Sequence, residues 1–220
     1  MKLVFTNNIS FWRANMPRPK GQTLTEKDIV DTAIALLERE GESALGVNRV
    51  ARELSIQPPS IYNHIAGNGA LRFAVSIEGY RRASEFVMQR VSGIEEPTLA
   101  LKVAAHAQRD FAKAHPNLYS VTTTTPFRLD QPESTHLLTA EIEFYAGLLK
   151  PFDLSTDDIV HTIRILQASI HGFIQAEQVG LFVLSQSIDE SFERLINILL
   201  NGFVQQQMNH RRGSKHKSDH

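Results

Sequence analysis

The chain has 220 residues, of which 42% are hydrophobic, so it is long enough for one large packed domain or a small domain and a larger one. Its formal net charge of -1 means that any binding of nucleic acid must depend on a local patch. The absence of cysteine excludes disulfides and thiolate metal sites. No stretch is apolar and long enough for a signal peptide or a membrane span, and we expect a cytoplasmic protein that does not bind a membrane.

The first 24 residues precede the first predicted helix and include the basic segment "PRPKG", directly after a second methionine, Met16. Residues 1–15 are either an extension or the result of a misassigned start. We expect residues 1–24 to form a flexible N-terminal extension and basic arm, whose positive charges include Arg18 and Lys20.

Three short helices are predicted between residues 25 and 67. Thr25 is a suitable N-cap for the first helix and Gly41 ends it, whereas the second helix has only Gly46 at its N-cap position. The third helix begins at "QPPSIYNHI", with Gln57 as its cap and the two prolines in its first turn. Proline is tolerated there because its missing N–H would have no intrahelical partner.

The second and third predicted helices are separated only by residues 55–57, which is the spacing of a helix-turn-helix. Ile61 and Ile65 provide the apolar side of the third helix, which packs on the first two helices. The opposite side presents small or hydrogen-bonding groups, which suit contact with a major groove. We therefore predict that residues 25–67 form a helix-turn-helix DNA-binding domain.

Helical spacing of apolar residues continues through the rest of the chain, and no run has the strict alternation of a strand. Further helices are predicted to begin near residues 70, 97, 132, 156 and 189, while "TTTTP" at residues 122–126 is predicted to lie in a loop. The expected fold is therefore all-α, with about nine helices: a three-helix head followed by a larger helical body over residues 68–207. Residues 208–220 are expected to form a polar tail.

Two groups of motifs resemble the TetR/AcrR family of transcriptional regulators. The segment "IVDTAIALLEREGESALGVNRVARELSIQPPSIYNHIAGNGAL", residues 29–71, contains "SIYNHI", which is similar to the recognition-helix pattern of that family. The body segments "FAKAHPNLYSV", "IHGFIQAEQVGLF" and "DESFERLINILLNGF" resemble a branch named for a Trp-His-Gly signature. Ile170 stands in place of that tryptophan, whereas His171 and Gly172 agree.

Three residues depart from the pattern of the family. Ser55 stands where a turn glycine is usual, Gly46 replaces a Ser/Thr cap that often contacts a phosphate, and Asn68 replaces a lysine that commonly grips the DNA backbone. The last two departures predict fewer phosphate contacts, and hence a lower affinity for DNA or a flatter salt dependence.

The resemblance implies that the third helix enters the major groove and that the N-terminal arm also reaches DNA. The DNA-binding residues predicted on this basis are Arg18, Lys20, Asn48, Gln57, Pro58, Ser60, Tyr62, Asn63 and His64.

The resemblance also implies a ligand cavity in the body, mostly apolar and with a few polar anchors. Its predicted lining residues are Gln108, Phe111, His115, Tyr119, Phe127, Phe144, His171 and Gln175. Core packing explains the aromatic residues equally well, and the polar stripe that contains His171 and Gln175 fits a solvated face, a cavity wall or a dimer seam. No metal site and no cofactor are predicted, since no closely spaced histidine pair lies inside a predicted helix.

The last two predicted helices carry the features of a helix–helix interface. Small residues at a spacing of four, which permit close approach of another helix, precede an apolar face on the final helix. The resemblance implies that these helices pair with their copies in a second subunit to make a four-helix homodimer interface. The residues predicted for this interface are Ala168, Gly172, Ala176, Phe192, Leu195, Ile196, Leu199 and Phe203.

The function indicated by these features is that of a ligand-responsive DNA-binding transcriptional regulator. We expect a repressor that is released from a near-palindromic double-stranded DNA operator by a small, largely apolar effector. The sequence lacks a glycine-rich phosphate loop, a nucleophile elbow and a close pair of carboxylates in an apolar setting, which argues against an enzyme. The alternative is a helical protein-binding adaptor with a degenerate helix-turn-helix.

Overall fold

The computed structural model of the chain describes residues 23–217, with side chains described as far as residue 203. Within these residues the protein forms nine α-helices and two short 3-10 helices, and no strand. The all-α prediction is confirmed. The α-helices are α1 Glu26–Glu40, α2 Val47–Glu53, α3 Pro58–Tyr62, α4 Asn68–Val91, α5 Pro97–Ala114, α6 Pro116–Thr124, α7 Pro132–Leu149, α8 Thr156–Gln178 and α9 Ile188–Lys217. The 3-10 helices are Glu42–Ala44 and Lys150–Phe152.

The structure divides into two compact units, and the division falls between Glu78 and Gly79, inside α4. The boundary predicted from the sequence, between residues 67 and 68, coincides with the start of this helix. Helix α4 is continuous through the division: its residues up to Glu78 belong to the smaller unit, together with α1–α3, and those from Gly79 belong to the larger unit. No helix in the described part of the chain is long and apolar enough to cross a membrane.

Helix α1 is fixed at both ends by the residues that the sequence indicated. The Thr25 hydroxyl accepts a hydrogen bond from the Asp28 backbone N–H at 3.2 Å, and the Asp28 carboxylate accepts one from the Thr25 N–H at 3.0 Å, which completes a capping box. Gly41 ends the helix with a φ of 82°, a conformation that glycine adopts without steric cost. The buried face of α1 includes Ile29 and Leu37, both 0% exposed.

Helices α2 and α3 form the predicted tight corner. Gln57 is the N-cap of α3 and the two prolines occupy its first turn. The helix is only five residues long and has Asn63 as its C-cap. Its buried residue, Ile61, is 0% exposed, and Ile65 just beyond the helix is 3% exposed. These contacts with the core, rather than helix propensity, stabilise so short a helix.

One prediction for the larger unit is wrong. Most of the "TTTTP" segment is helical, because α6 extends to Thr124, and only Thr125 and Pro126 lie beyond the helix. Each of the four threonine hydroxyls, from Thr122 to Thr125, donates to the backbone carbonyl four residues earlier, at 2.7 to 2.9 Å. The first of these bonds joins Thr122 to the Leu118 carbonyl, and the last joins Thr125 to the Val121 carbonyl. Such bonds satisfy the hydroxyls within the helix, so a run of β-branched residues is compatible with helical geometry here.

Candidate DNA interface, ligand cavity and dimer surface

The residues predicted to contact DNA lie on α2, on α3 and in the turns beside them. Asn48, Gln57, Asn63 and His64 are exposed, and Tyr62 is 56% exposed. Pro58 and Ser60 are half-buried. Arg18 and Lys20 lie outside the described residues. The side of α3 away from Ile61 therefore presents amide, imidazole and phenol groups, which are able to bond with base edges and phosphates.

The turn between α2 and α3 keeps the geometry that glycine normally allows. Ser55 has a φ of 55°, which lies in the left-handed region, and its N–H donates to the Arg52 carbonyl at 3.2 Å. The next residue, Ile56, donates to the Ala51 carbonyl at 3.0 Å and closes the turn. The departure at Ser55 has therefore not altered the turn; serine adopts the conformation at some cost in steric strain.

Helix α2 is capped by a residue far along the chain. Gly46, its N-cap residue, has no side chain to accept a hydrogen bond, yet the Val47 N–H donates to the Asn68 side-chain oxygen at 2.9 Å. A Cβ atom added to Gly46 would lie 3.8 Å from that same oxygen. The two departures from the family pattern, at positions 46 and 68, thus form one compensating pair, which sequence reasoning treated as two separate losses.

The cations of α2 differ in what they contact. Arg49 is held by two carboxylates, Glu40 at 2.6 Å and Glu53 at 2.9 Å. The hydrogen bonds that Glu40 accepts from Arg49 and Arg39 lower its pKa to about 2. Arg39 joins the same cluster through both carboxylates. Arg52, in contrast, is exposed and forms no ion pair within the described part of the chain. Arg52 is therefore the α2 cation best available to an external anion.

The larger unit contains a partly open cavity of about 40 Å³ between α4, α5, α6, α7 and α8. Of the predicted ligand residues, Gln108, Tyr119, Phe144 and His171 line it. The lining also includes residues that sequence reasoning did not select, among them Tyr80, Val87, Met88, Thr122, Glu141 and Tyr145. Glu141 was detectable in principle, because it shares one face of α7 with Phe144 and Tyr145 at spacings of three and four.

The other predicted ligand residues lie outside this lining. Phe111 is 4% exposed and packs with Phe86, ring centroids 5.9 Å apart, so it belongs to the core. His115 is exposed at the end of α5. The ring of Phe127 packs edge-on against Tyr80 at 4.7 Å, behind the cavity wall. The side chain of Gln175 is half-buried and donates to the Thr123 hydroxyl at 3.1 Å.

His171 is a neutral member of the cavity wall. It is hydrogen-bonded through Nδ1 to the Tyr119 hydroxyl. Burial lowers the pKa of His171 to about 4 and raises the pKa of Tyr119, so both groups are uncharged near neutral pH. The pair therefore supplies a polar contact to the cavity without a charge.

A second polar group of the cavity is centred on Glu141. Gln167 Nε2 donates to its Oε1 atom at 3.0 Å, and the Tyr80 hydroxyl donates to its Oε2 atom. Gln108 Nε2 in turn donates to Gln167 Oε1 at 2.9 Å. Burial raises the pKa of Glu141 to about 7, because the charged form loses its hydration.

The predicted dimer residues fall into two groups. Ala168 and Gly172 are exposed on α8, while Ala176, Leu195 and Leu199 are half-buried. Phe192, Ile196 and Phe203 are instead core residues, 0%, 1% and 5% exposed, so their prediction as interface residues is corrected. Phe192 packs within its own unit against Phe173, at a centroid distance of 5.1 Å.

Exposed apolar side chains on the last two helices and their connection were not predicted. Ile165 on α8 is 49% exposed and Ile198 on α9 is 69% exposed. The connection between the two helices adds Leu181, Val183 and Leu184, at 67%, 84% and 77%. We call these five residues, with Ala168 and Gly172, the α8–α9 surface. Exposed apolar side chains mark a contact site when they lie together in one patch.

Residues 101–199 match the family model described as the tetracyclin repressor-like C-terminal domain. An HTH-type transcriptional regulator of Mycobacterium tuberculosis is 30% identical over 160 residues, which cover 72% of this chain and 72% of that protein. YobS, an HTH-type transcriptional regulator of Bacillus subtilis, is 26% identical over 183 residues, which cover 82% of this chain and 93% of YobS.

A solved structure of BioQ with its double-stranded DNA operator has the same fold. Its TM-score is 0.64 at 22% sequence identity, and the match covers 82% of this chain and 98% of the BioQ chain. Together with the relatives, the all-α fold and its helix-turn-helix define a transcriptional regulator rather than an enzyme. The chain belongs to the TetR family of these regulators.

Proposed function

We propose that the protein is a repressor that binds a near-palindromic operator as a homodimer and leaves it when a small effector occupies the cavity of the larger unit. The observation that carries the DNA-binding part of this proposal is the complete helix-turn-helix. The missing cap at Gly46 is replaced by Asn68, and the turn at Ser55 has the required φ of 55°. A protein-binding adaptor with a degenerate helix-turn-helix would not need Asn68 to replace the cap at Gly46. The replacement therefore disfavours the adaptor alternative.

The exposed polar side of α3 is the proposed reading surface. Asn63 has the amide geometry that pairs bidentately with adenine, while Tyr62 and His64 more often contact phosphates. Arg52 is the α2 cation left to contact the DNA backbone. Arg18 and Lys20, in the N-terminal segment, are proposed to add contacts in the adjacent groove. The proposed binding of DNA is consistent with the fold shared with BioQ, whose structure was solved with its double-stranded DNA operator.

Helix α4 supports a route from the cavity to the head. Tyr80, Val87 and Met88 of this helix line the cavity, and Asn68 at its other end caps α2. A ligand that displaces α4 would therefore act on the element that fixes α2. Such a ligand releases DNA only if it binds the DNA-free geometry more tightly than the DNA-bound one.

The α8–α9 surface supports the homodimer. Its apolar side chains would be covered by the same surface of a second copy, as an isologous interface requires. A dimer of this kind carries two copies of α3, and such dimers bind half-sites about one DNA turn, roughly 34 Å, or somewhat more apart. The near-palindromic operator follows from that symmetry.

Selection from genomic DNA tests the proposal directly. Purified full-length protein is incubated with sheared DNA of its own genome, and the retained fragments are sequenced over successive rounds. We expect enrichment of a common near-palindrome, and less DNA retained in total by the Tyr62→Ala variant. Deletion of the gene should then raise transcription beside that site. Retention of no common sequence by folded protein would overturn the proposal, and a fall in transcription would overturn the repressor role.

A further inference from the structure

The polar atoms that line the cavity are arranged around hydrogen-bond acceptors. The Glu141 carboxylate is the one acidic group of the lining, and no lysine or arginine lies among the lining residues. His171 is neutral, with its Nδ1 atom bonded to Tyr119. A ligand that enters this cavity therefore meets one carboxyl group and no opposing positive side chain.

The orientation of the two glutamine amides follows from that carboxylate. Above its pKa of about 7, where binding is tested, the Glu141 carboxylate only accepts hydrogen bonds, so Gln167 then presents its NH₂ group to it. Its oxygen then faces Gln108, which must in turn present its own NH₂ group, as the 2.9 Å bond shows. The Gln108 oxygen is consequently left at the end of the chain of bonds.

Gln108 Oε1 is buried and has no hydrogen-bond partner within the described residues. The residue is only 7% exposed, and it lines the cavity. A buried acceptor without a donor is costly, and such groups are normally satisfied by water or by a ligand. Since the atom is an oxygen, the missing partner must be a hydrogen-bond donor.

The remaining wall is aromatic. The rings of Tyr80, Tyr119, Phe144 and Tyr145 line the same cavity as Glu141 and Gln108. Aromatic faces attract ammonium groups through the ring quadrupole, and the attraction grows when the cation is desolvated. Acceptors and rings that line one cavity thus favour a cation, whereas an anionic ligand would be repelled by Glu141 and find no counter-charge.

We propose that the effector is an amphiphilic amine, whose ammonium group is seated against the Glu141 carboxylate and the free oxygen of Gln108 and whose apolar body packs on the aromatic wall. This inference rests on the proposed function, in which the cavity binds the effector. It restricts the class of expected effectors from largely apolar molecules to those that also carry a positive charge.

Three probes of similar size test the charge requirement: benzylammonium, benzyl alcohol and benzoate. They share a phenyl ring and differ in charge. Binding to the full-length protein is followed at pH 8 by the methyl NMR signal of Met88, which lines the cavity and is assigned with a Met88→Leu variant. We expect benzylammonium to bind at least about tenfold more tightly than benzyl alcohol, and benzoate to cause no shift of this signal.

Matched variants assign the preference to the proposed groups. Glu141→Gln keeps the shape of the side chain and should abolish the preference for benzylammonium while benzyl alcohol still binds, which also shows that the variant is folded. Glu143→Gln, an exposed position on the same helix, should leave the preference unchanged. Gln108→Leu should weaken benzylammonium binding severalfold.

The outcomes separate this inference from the function it rests on. Equal or tighter binding of benzoate, a preference that survives Glu141→Gln, or no response of Met88 to any probe would each overturn the amine inference, even if genomic selection finds an operator. An amine preference in a protein that selects no DNA would leave the amine site standing and overturn the repressor proposal.

Discussion

Asn68 caps helix α2 across 21 residues of sequence, with its side-chain oxygen 2.9 Å from the Val47 backbone nitrogen. The bond satisfies one of the N–H groups that the start of every helix leaves without an intrahelical partner. It also joins the first residue of α4 to the first residue of α2. The head is therefore fixed at the point where α4 begins, and that relationship can be tested by substitution.

The cap predicts a compensating pair of substitutions. Asn68→Ala should destabilise the head by about 1 kcal/mol, because the Val47 N–H loses its acceptor and Gly46 has no side chain to replace it. Gly46→Ser, for which the structure has space, should restore most of that loss in the Asn68→Ala background. Urea unfolding of the two single variants and the double variant measures both effects. Additive changes in the free energy of unfolding would show that the two positions are not coupled.

The proposed reading surface predicts different effects at two neighbouring residues. Asn63→Ala should relax base preference at one position of each half-site, with a loss of about 1–3 kcal/mol on the preferred sequence. Tyr62→Ala should weaken binding to all sequences alike, because a phosphate contact carries no base information. Affinities are compared on the selected operator and on single-base variants of it. The exposed Gln89→Ala variant is the control, and wild-type affinities for both head variants would refute this placement of α3.

The residues that sequence reasoning located correctly are those whose partners are close in sequence. The Thr25 capping box, the prolines at the start of α3 and the buried Ile61 depend on neighbours within one or two turns. The cap at Asn68 was missed because its partner is 21 residues away and only the folded head brings the two together.

Partners that are distant in sequence also explain the errors in the larger unit. The apolar face of α9 was correctly identified, but the sequence does not say whether its own unit or a second copy covers Phe192. Glu141 was overlooked because its burial depends on four other helices, of which α4 and α5 are distant from α7 in sequence. Local periodicity gives the face of a helix, whereas the identity of the covering partner is a tertiary property.

The α8–α9 surface predicts a monomeric variant. Ile198→Arg places a charge where a second copy should pack, and we expect sedimentation to show a monomer that no longer retains a full operator. Leu129→Arg is the matched control, since Leu129 is equally exposed, at 71%, but lies in the loop before α7. A dimeric Ile198→Arg protein would exclude this surface as the interface. The Leu199→Arg substitution is expected to act in the same direction but less cleanly, because Leu199 is half-buried.

The buried carboxyl group predicts a change of stability with pH. The folded-state pKa of Glu141, about 7, lies above its ordinary value of 4.5, so the folded protein holds a proton that the unfolded chain releases between these values. Its contribution to stability is therefore present below pH 4.5 and is lost as pH rises through 7. Glu141→Gln should remove this loss and stabilise the protein at pH 8 by up to about 3 kcal/mol, with no gain at pH 4. Urea unfolding at both pH values measures it, and a gain of equal size at pH 4 would contradict the assignment.

The same group predicts how amine binding depends on pH. Benzylammonium stays charged between pH 6 and pH 8, so the change in affinity reports the ionisation of the protein. With a pKa of about 7, Glu141 is about nine-tenths ionised at pH 8 and about one-tenth ionised at pH 6, so the affinity should fall about tenfold over that range. Three other titratable groups of the lining do not change charge there: burial raises the pKa of Tyr119 and of Tyr145, so both stay protonated, and His171, with a pKa of about 4, stays neutral. Benzyl alcohol should show no comparable dependence on pH in the same titration of the Met88 signal. An amine affinity that is constant from pH 6 to pH 8, or that falls equally in the Glu141→Gln variant, would show that the carboxylate is not the group that holds the amine.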